Sequence, residues 1–262
     1  MPADHLTLQI TDCHLLADPD ARLLGVDTAA TLRAVLAHAC AASTPDLLLV
    51  TGDISHDGLP QTYHRFAQLV REFYQGPVFT LPGNHDAGAA LDAAFASHDF
   101  AAAHDQLTQL DLCGWCLLGL DSHADDQPEA QLPAARLATL QATLAQIDVP
   151  ALLALHHPLL PVGAPWLDKD CVPGGPALLE WLATQSTVRG VLFGHVHQAI
   201  DAQYRQLKLW GTPSTCFQFA PRSEGFTVDQ RQPGYRWITL SNDGAIRTQV
   251  QRLRDFPLHI QL

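Results

Sequence analysis

Apolar runs recur along this chain, and five of them stop at clusters of Asp, Asn, His and Gly. Residues 6–10, Leu47–Thr51, Val78–Leu81, 151–155 and Val188–Phe193 are short, apolar and rich in Leu and Val, and predict buried strands. Between them the apolar period lengthens. Thr28–Ala42 is Ala-rich with helical spacing, and Asp27 or Thr28 suits its N-cap. Pro60–Phe73 predicts a second helix with Pro60 in its first turn. Residues 87–97, 132–147 and 175–185 predict three more, while 107–111 and 115–120 predict neighbouring strands joined at Gly114. Further on, 199–204, 207–210, 235–240 and 246–253 predict strands of a second sheet, with turns at Gly211 and at Asn242-Asp243-Gly244. The pattern predicts an α/β fold over residues 1–262 as a single domain: two mixed sheets face to face with helices outside.

The residues after the five runs carry the chemistry. They are Asp12-Cys13-His14, Gly52-Asp53, Gly83-Asn84-His85-Asp86, His156-His157-Pro158 and Gly194-His195-Val196-His197. Parallel strands point their C-terminal ends one way, so loops distant in sequence meet in one crevice. Two carboxylates, a carboxamide and several imidazoles meeting there suit two metal ions. Each motif alone is weak, and Gly52-Asp53 alone is an ordinary turn pair. On an extended Gly194-His195-Val196-His197 segment, alternation would put both histidines on one side. Cys13 would then point away from the ligands beside it. The order of all five, each after a strand, is what makes them specific.

That order resembles the calcineurin-like metallophosphoesterase superfamily, with its D-x-H, G-D, G-N-H-[DE], H-x-P and G-H-x-H blocks. The resemblance implies a four-layer αββα sandwich. Outside the ligands, Gln9-Ile10-Thr11-Asp12, Leu24-Gly25-Val26-Asp27-Thr28, Trp166-Leu167-Asp168, Pro213-Ser214-Thr215-Cys216 and Pro233-Gly234-Tyr235-Arg236 resemble the bacterial class III 3',5'-cyclic-AMP phosphodiesterases. It implies that Asp12, His14 and His197 hold one metal, that Asn84, His156 and His195 hold a second, and that Asp53 bridges them. It implies iron with manganese, with zinc or cobalt as alternatives. It further implies that His14, Asp53, Asn84, His85 and His197 face a cyclic-AMP substrate. A bridging hydroxide would attack phosphorus in line, His85 would protonate the leaving oxygen or stabilise the transition state, and Asp86 would orient His85. Another small diester, or a non-catalytic scaffold of the same fold, is the alternative. Two departures stand out: the Gly174-Gly175 region lies where the family carries an Asn, and Pro128-Glu129-Ala130 alters the stretch after Asp121-Ser122.

Composition narrows the class. A net charge of −12 argues against nucleic acid or an anionic membrane as the usual partner. A small phosphate ester is still compatible, because bound cations reverse the local field. Hydrophobic residues make up 47% and charged residues 16%, ordinary for a compact enzyme. The chain runs from Met1-Pro2 almost directly into a strand, without a signal-peptide pattern. Six cysteines without a disulfide framework fit a reducing cytoplasm, and a monomer or homodimer is expected. Cys113-Gly114-Trp115-Cys116 has redox spacing but lies in an apolar run, which predicts buried structural cysteines. His157 is expected behind the ligands, and His5, His38, His64, His98 and His104 at the surface or satisfied. The Pro- and Gly-rich segment 158–176 is expected to rim the substrate pocket.

Overall fold

The computed structural model describes residues 4–125 and 127–261. Met1-Pro2, expected to lead into the first strand, lie outside the described residues, as does Asp126. The first half runs β1 (His5–Ile10), α1 (Thr28–Ala42), β2 (Leu47–Thr51), α2 (Pro60–Phe73), β3 (Val78–Leu81), α3 (Gly88–Ala96), β4 (Ala101–Ala102), β5 (Leu107–Asp111) and β6 (Cys116–Leu120). It continues with α4 (Ala134–Leu144), β7 (Ala151–Ala154), α5 (Pro165–Asp168), α6 (Gly175–Leu182) and β8 (Val188–Phe193). The last part is β9 (Ile200–Tyr204), β10 (Leu207–Gly211), β11 (Gln218–Phe219), β12 (Val228–Asp229), β13 (Gly234–Leu240) and β14 (Ile246–Arg252).

Two six-stranded sheets form, in the orders β14-β13-β1-β2-β3-β4 and β5-β6-β7-β8-β10-β9. In each, four parallel strands sit beside antiparallel ones: β13 and β14 at one edge of the first, β5 and β9 at the two edges of the second. The central strands β2, β3, β6 and β7 are buried on both faces, which is why they read as continuous apolar runs. Along β2, Leu47 and Leu49 enter the layer between the sheets, while Leu48 and Val50 pack under α1 and α2. Along β6 and β7, Leu117 and Leu152 face the central layer, while Leu118 and Leu153 pack under α4 and α6. The result is the expected helix–sheet–sheet–helix stack. Asp27 caps α1, accepting from Ala30 N at 2.9 Å.

The tail differs from expectation. Its strands do not build one second sheet: β9 and β10 extend the second, while β13 and β14 complete the first. Gly211 is no turn but the last residue of β10, paired with Phe193 and Ile200. A Cβ there would lie 2.8 Å from Phe193 Cε2 and 2.9 Å from Ile200 Cγ1, so close packing, not turning, calls for glycine. The turn at Asn242-Asp243-Gly244 is present, with Gly244 N bonded to Ser241 O at 3.0 Å. Cys113 also departs: it is exposed at the β5–β6 turn, and only Cys116 of that pair is buried. His38, His64, His98 and His104 have polar partners. His5 is buried with Nε2 unpartnered. Among the described residues no helix is long and apolar enough to cross a membrane.

Arg236 of β13 ties the sheets together. Its guanidinium donates to Asp201 Oδ1 at 2.9 Å, Ile200 O at 3.0 Å and Gly211 O at 3.1 Å, all on the opposite sheet. Arg236→Met would remove a donor from the buried Gly211 carbonyl and the half-buried Ile200 carbonyl. Because Asp201 is largely exposed and can rehydrate, the expected loss is about 2–3 kcal/mol rather than the larger cost of stranding a buried charge. Urea unfolding would read this as a lower midpoint at unchanged slope.

Candidate metal centre

All five motif loops leave the C-terminal ends of parallel strands: β1, β2 and β3 in one sheet, β7 and β8 in the other. Backbone bonds lock the loops to one another. Asp12 N donates to Gly52 O at 3.0 Å, His14 N to Asp53 O at 2.9 Å, and Gly194 N to His156 O at 3.0 Å. The Asp12 carboxylate crosses between the sheets to accept from His195 N, with both oxygens at 3.1 Å. Ser214 Oγ holds Asp12 O at 2.8 Å, which gives Pro213-Ser214-Thr215-Cys216 its place in the site.

The loops are tightly coiled rather than extended. Asp12, His14, Asp53, His195 and His197 all have positive φ, between 45° and 66°. Left-handed backbone costs a non-glycine residue about 1–2 kcal/mol, and such strain clusters at functional sites. Strand alternation therefore does not explain how His195 and His197 face one centre; the left-handed turns do. Cys13 is fully buried in the α1–α2 layer, facing away as expected. Gly52, with φ of 92°, leaves room for His156: a Cβ would lie 2.3 Å from its Nδ1.

Seven candidate ligands converge. His195 Nδ1 and His156 Nε2 lie 3.0 and 3.1 Å from Asn84 Oδ1. His14 Nε2 and His197 Nε2 are 3.1 Å apart, and His197 Nε2 is 3.5 Å from Asp12 Oδ1. Between the groups sits Asp53 Oδ2, 3.5 Å from both His14 Nε2 and His156 Nε2. Nitrogen and oxygen donors this close, several of them electron-pair donors facing one another, form clusters able to hold metal ions. Carbonyls occupy the outer ring nitrogens: Thr51 O holds His156 Nδ1 at 2.7 Å, and Phe217 O holds His197 Nδ1 at 2.8 Å. These bonds aim each Nε2 lone pair inward.

Burial pushes the imidazoles of His14, His157 and His195 down, toward the neutral form that a metal requires. Burial pulls His156 the same way, but the Asp53 carboxylate carries it up to about 9. Burial likewise opposes ionisation of Asp53, yet His156 and His14 hold it well below the usual carboxylate range.

His85 lies at the cavity wall, its N–H held by Asp53 Oδ1 at 2.9 Å. Asp86 reaches it through the backbone. Its carboxylate accepts from Gly83 N at 2.9 Å, Ser55 N at 2.9 Å and Ile54 N at 3.2 Å, so it braces the turn that carries His85 rather than the ring. Burial, then the Asp53 charge, raises Asp86 to about 6, against the pull of those three donors. His157 sits behind the centre, bonded to Ser122 Oγ at 2.9 Å. The 158–176 segment does rim the site: Trp166, Leu167 and Asp170 line a cavity of about 220 Å³ together with His14, Asp53 and His85.

Three features were not read from sequence. His56 stacks on His85 with ring centres 4.6 Å apart, and its Nδ1 lies 3.4 Å from His14 Nδ1. Its position three residues after Asp53 was the available signal. Phe219 stacks on His197 at 4.0 Å. Asp170 faces His195.

A model of the calcineurin-like phosphoesterase family matches residues 5–199, which contain every candidate ligand. The chain belongs to the calcineurin-like phosphoesterase family. Its curated relatives include 3',5'-cyclic adenosine monophosphate phosphodiesterases CpdA. The Haemophilus influenzae protein is 38% identical over 94% of this chain and 89% of its own. The Pseudomonas aeruginosa protein is 36% identical over 97% and 92%. The fold is shared more widely among solved structures. A dimetal phosphatase from Danio rerio matches with a TM-score of 0.62 and 15% identity, over 90% of this chain and 95% of its own. Purple acid phosphatase from yellow lupin matches with a TM-score of 0.69 and 13% identity, over 99% of this chain and 53% of its own. As a family member this chain is a phosphoester hydrolase, and divalent metal ions are implied for the donor clusters described above.

Proposed function

We propose that this enzyme hydrolyses 3',5'-cyclic AMP to 5'-AMP at a centre of two metal ions. The observation that carries the two-metal reading is Asp53 Oδ2, one carboxylate oxygen 3.5 Å from a donor of each group. One anion shared between two cations screens their repulsion at the ~3.5–4 Å separation of dimetal sites. Asp12, His14 and His197 would hold one ion, and Asn84, His156 and His195 the other. The cyclic-AMP reading is supported by relatives bearing that name across nearly the whole chain.

The bound ions supply an activated water and neutralise the phosphoryl oxygens. The chain's own residues do the rest. With only Asp12 and Asp53 anionic among the ligands, the centre keeps a net positive charge that attracts phosphate. Neutral Asn84 ligates without reducing it. His85, anchored through its backbone to Asp53, stands over the cavity where the 3' oxygen leaves, and donates its proton to that oxygen. Trp166 and Leu167 line the rim of the same cavity.

The test is turnover of cyclic AMP by metal-free protein reloaded with Mn²⁺, beside an aryl phosphodiester. Conversion to 5'-AMP that disappears with chelator and returns with Mn²⁺ is expected. Cleavage of the aryl ester alone would retain the metal chemistry and overturn the substrate. No reaction with two metals bound would overturn the phosphodiesterase reading at this centre. Metal analysis of protein purified without added metal separates iron and manganese from zinc or cobalt.

A further inference from the structure

We infer that Asp170 is a positioning residue for His195, tying the 158–176 rim to the metal centre. The inference rests on the metal-binding reading above. Asp170 lies just beyond α5 and is only 6% exposed. A carboxylate buried so deeply is costly without partners. Among the described residues its Oδ1 has no hydrogen-bond partner, and the nearest cation, Lys169 Nζ, is 3.9 Å away on an exposed side chain. Its Oδ2 lies 3.7 Å from His195 Nε2, and that nitrogen is also buried without a partner. The unpaired Nε2 of His195 thus faces the Oδ2 of a buried carboxylate, one able to donate and one to accept, within about an ångström of a hydrogen bond.

His195 explains what the pair is for. Its Nδ1 points the other way, 3.0 Å from Asn84 Oδ1, into the convergence of donors. His156 and His197 have backbone carbonyls on their outer nitrogens. His195 is served instead by a carboxylate, and by one from the rim. A proton held on Nε2 by Asp170 leaves the lone pair on Nδ1, fixes the ring's orientation and makes it a better donor. Loading the centre and seating the rim then become one event, because the ligand and its brace lie on different loops. Asp168, in the same rim, is a built-in comparison. Its carboxylate accepts from Val162 N at 2.7 Å and Gly163 N at 3.1 Å, shaping the loop without reaching the centre.

Calorimetric titration of the metal-free chain with Mn²⁺ tests this, with Asp170→Ala, Asp170→Asn and Asp168→Ala beside the unsubstituted protein. Asp170→Ala is expected to weaken one Mn²⁺ equivalent by about 10–100-fold and leave the other unchanged. Asp170→Asn should recover part of the loss, since its amide oxygen can still accept from Nε2. Asp168→Ala should leave both equivalents as they were. Unchanged affinities in Asp170→Ala would overturn the inference. So would equal weakening of both equivalents in the Asp170 and Asp168 variants, which would mark a general loosening of the rim. If Asp170→Ala does not fold, Asp170→Asn carries the test: several-fold weakening of one equivalent supports the inference, and none overturns it. If the unsubstituted protein takes up a single equivalent, the two-metal reading fails on its own. Asp170 is then judged by whether that equivalent weakens.

Discussion

Asp53→Asn is expected to lower kcat/KM for cyclic AMP by about 10³-fold or more, equivalent to roughly 4 kcal/mol of transition-state stabilisation. The substitution changes little in shape. Asn can still accept from His85 N, the bond Asp53 Oδ1 makes at 2.9 Å, so the turn carrying His85 should survive. What disappears is the charge at the position 3.5 Å from both His14 Nε2 and His156 Nε2. A neutral amide cannot screen two cations from each other, so metal content should fall to one equivalent or less. Against the pull of burial, the same carboxylate is the largest influence raising His156 to about 9, so its loss should lower that imidazole. Circular dichroism should report an unchanged fold, and elemental analysis the lost metal. A variant that keeps two equivalents and activity within tenfold of the parent would sink the bridging role of Asp53.

The reach of sequence reasoning follows from what each signal encodes. Strands such as Leu47–Thr51 were legible because burial on both faces demands uninterrupted apolar side chains. Motif loops were legible because each begins within three residues of such a strand's end. Pairing in the tail was not. Alternation marks β13 as a strand, but nothing local says that it lies against β1, more than two hundred residues away in sequence. Left-handed backbone at His195 and His197 was likewise hidden: φ is set by the bonds that the loop makes to other loops, such as His195 N to Asp12. Adjacency suggested that Asp86 orients His85 but not how: the turn folds the carboxylate back onto three backbone donors. His56 and Asp170 belong to no motif, and only the folded chain brings them to His85 and His195. The grouping of ligands around two ions came from the resemblance. It was not deducible from spacing.

His85→Ala provides the second large effect, and its size should depend on the substrate. His85 is not among the seven proposed ligands, so metal content should stay at the parent level. For cyclic AMP the departing group is a ribose oxygen, a poor leaving group that needs a proton as the bond to phosphorus breaks. Losing a positioned acid should cost about 10²–10⁴ in kcat. A p-nitrophenyl diester departs as a stabilised phenolate and needs no such proton, so its cleavage should fall far less. This contrast separates two roles that a single rate cannot. If His85 acts only by hydrogen bonding to the phosphoryl oxygens, both substrates lose equally, since both pass through the same charged phosphorus. If it delivers the proton, the loss tracks the basicity of the leaving group, and a series of aryl diesters should show a steeper dependence in the variant than in the parent. The neighbouring ring of His56, stacked at 4.6 Å, limits any repacking into the space left by the imidazole. The difference between substrates is therefore readable as chemistry at the leaving oxygen rather than as a change in the shape of the cavity.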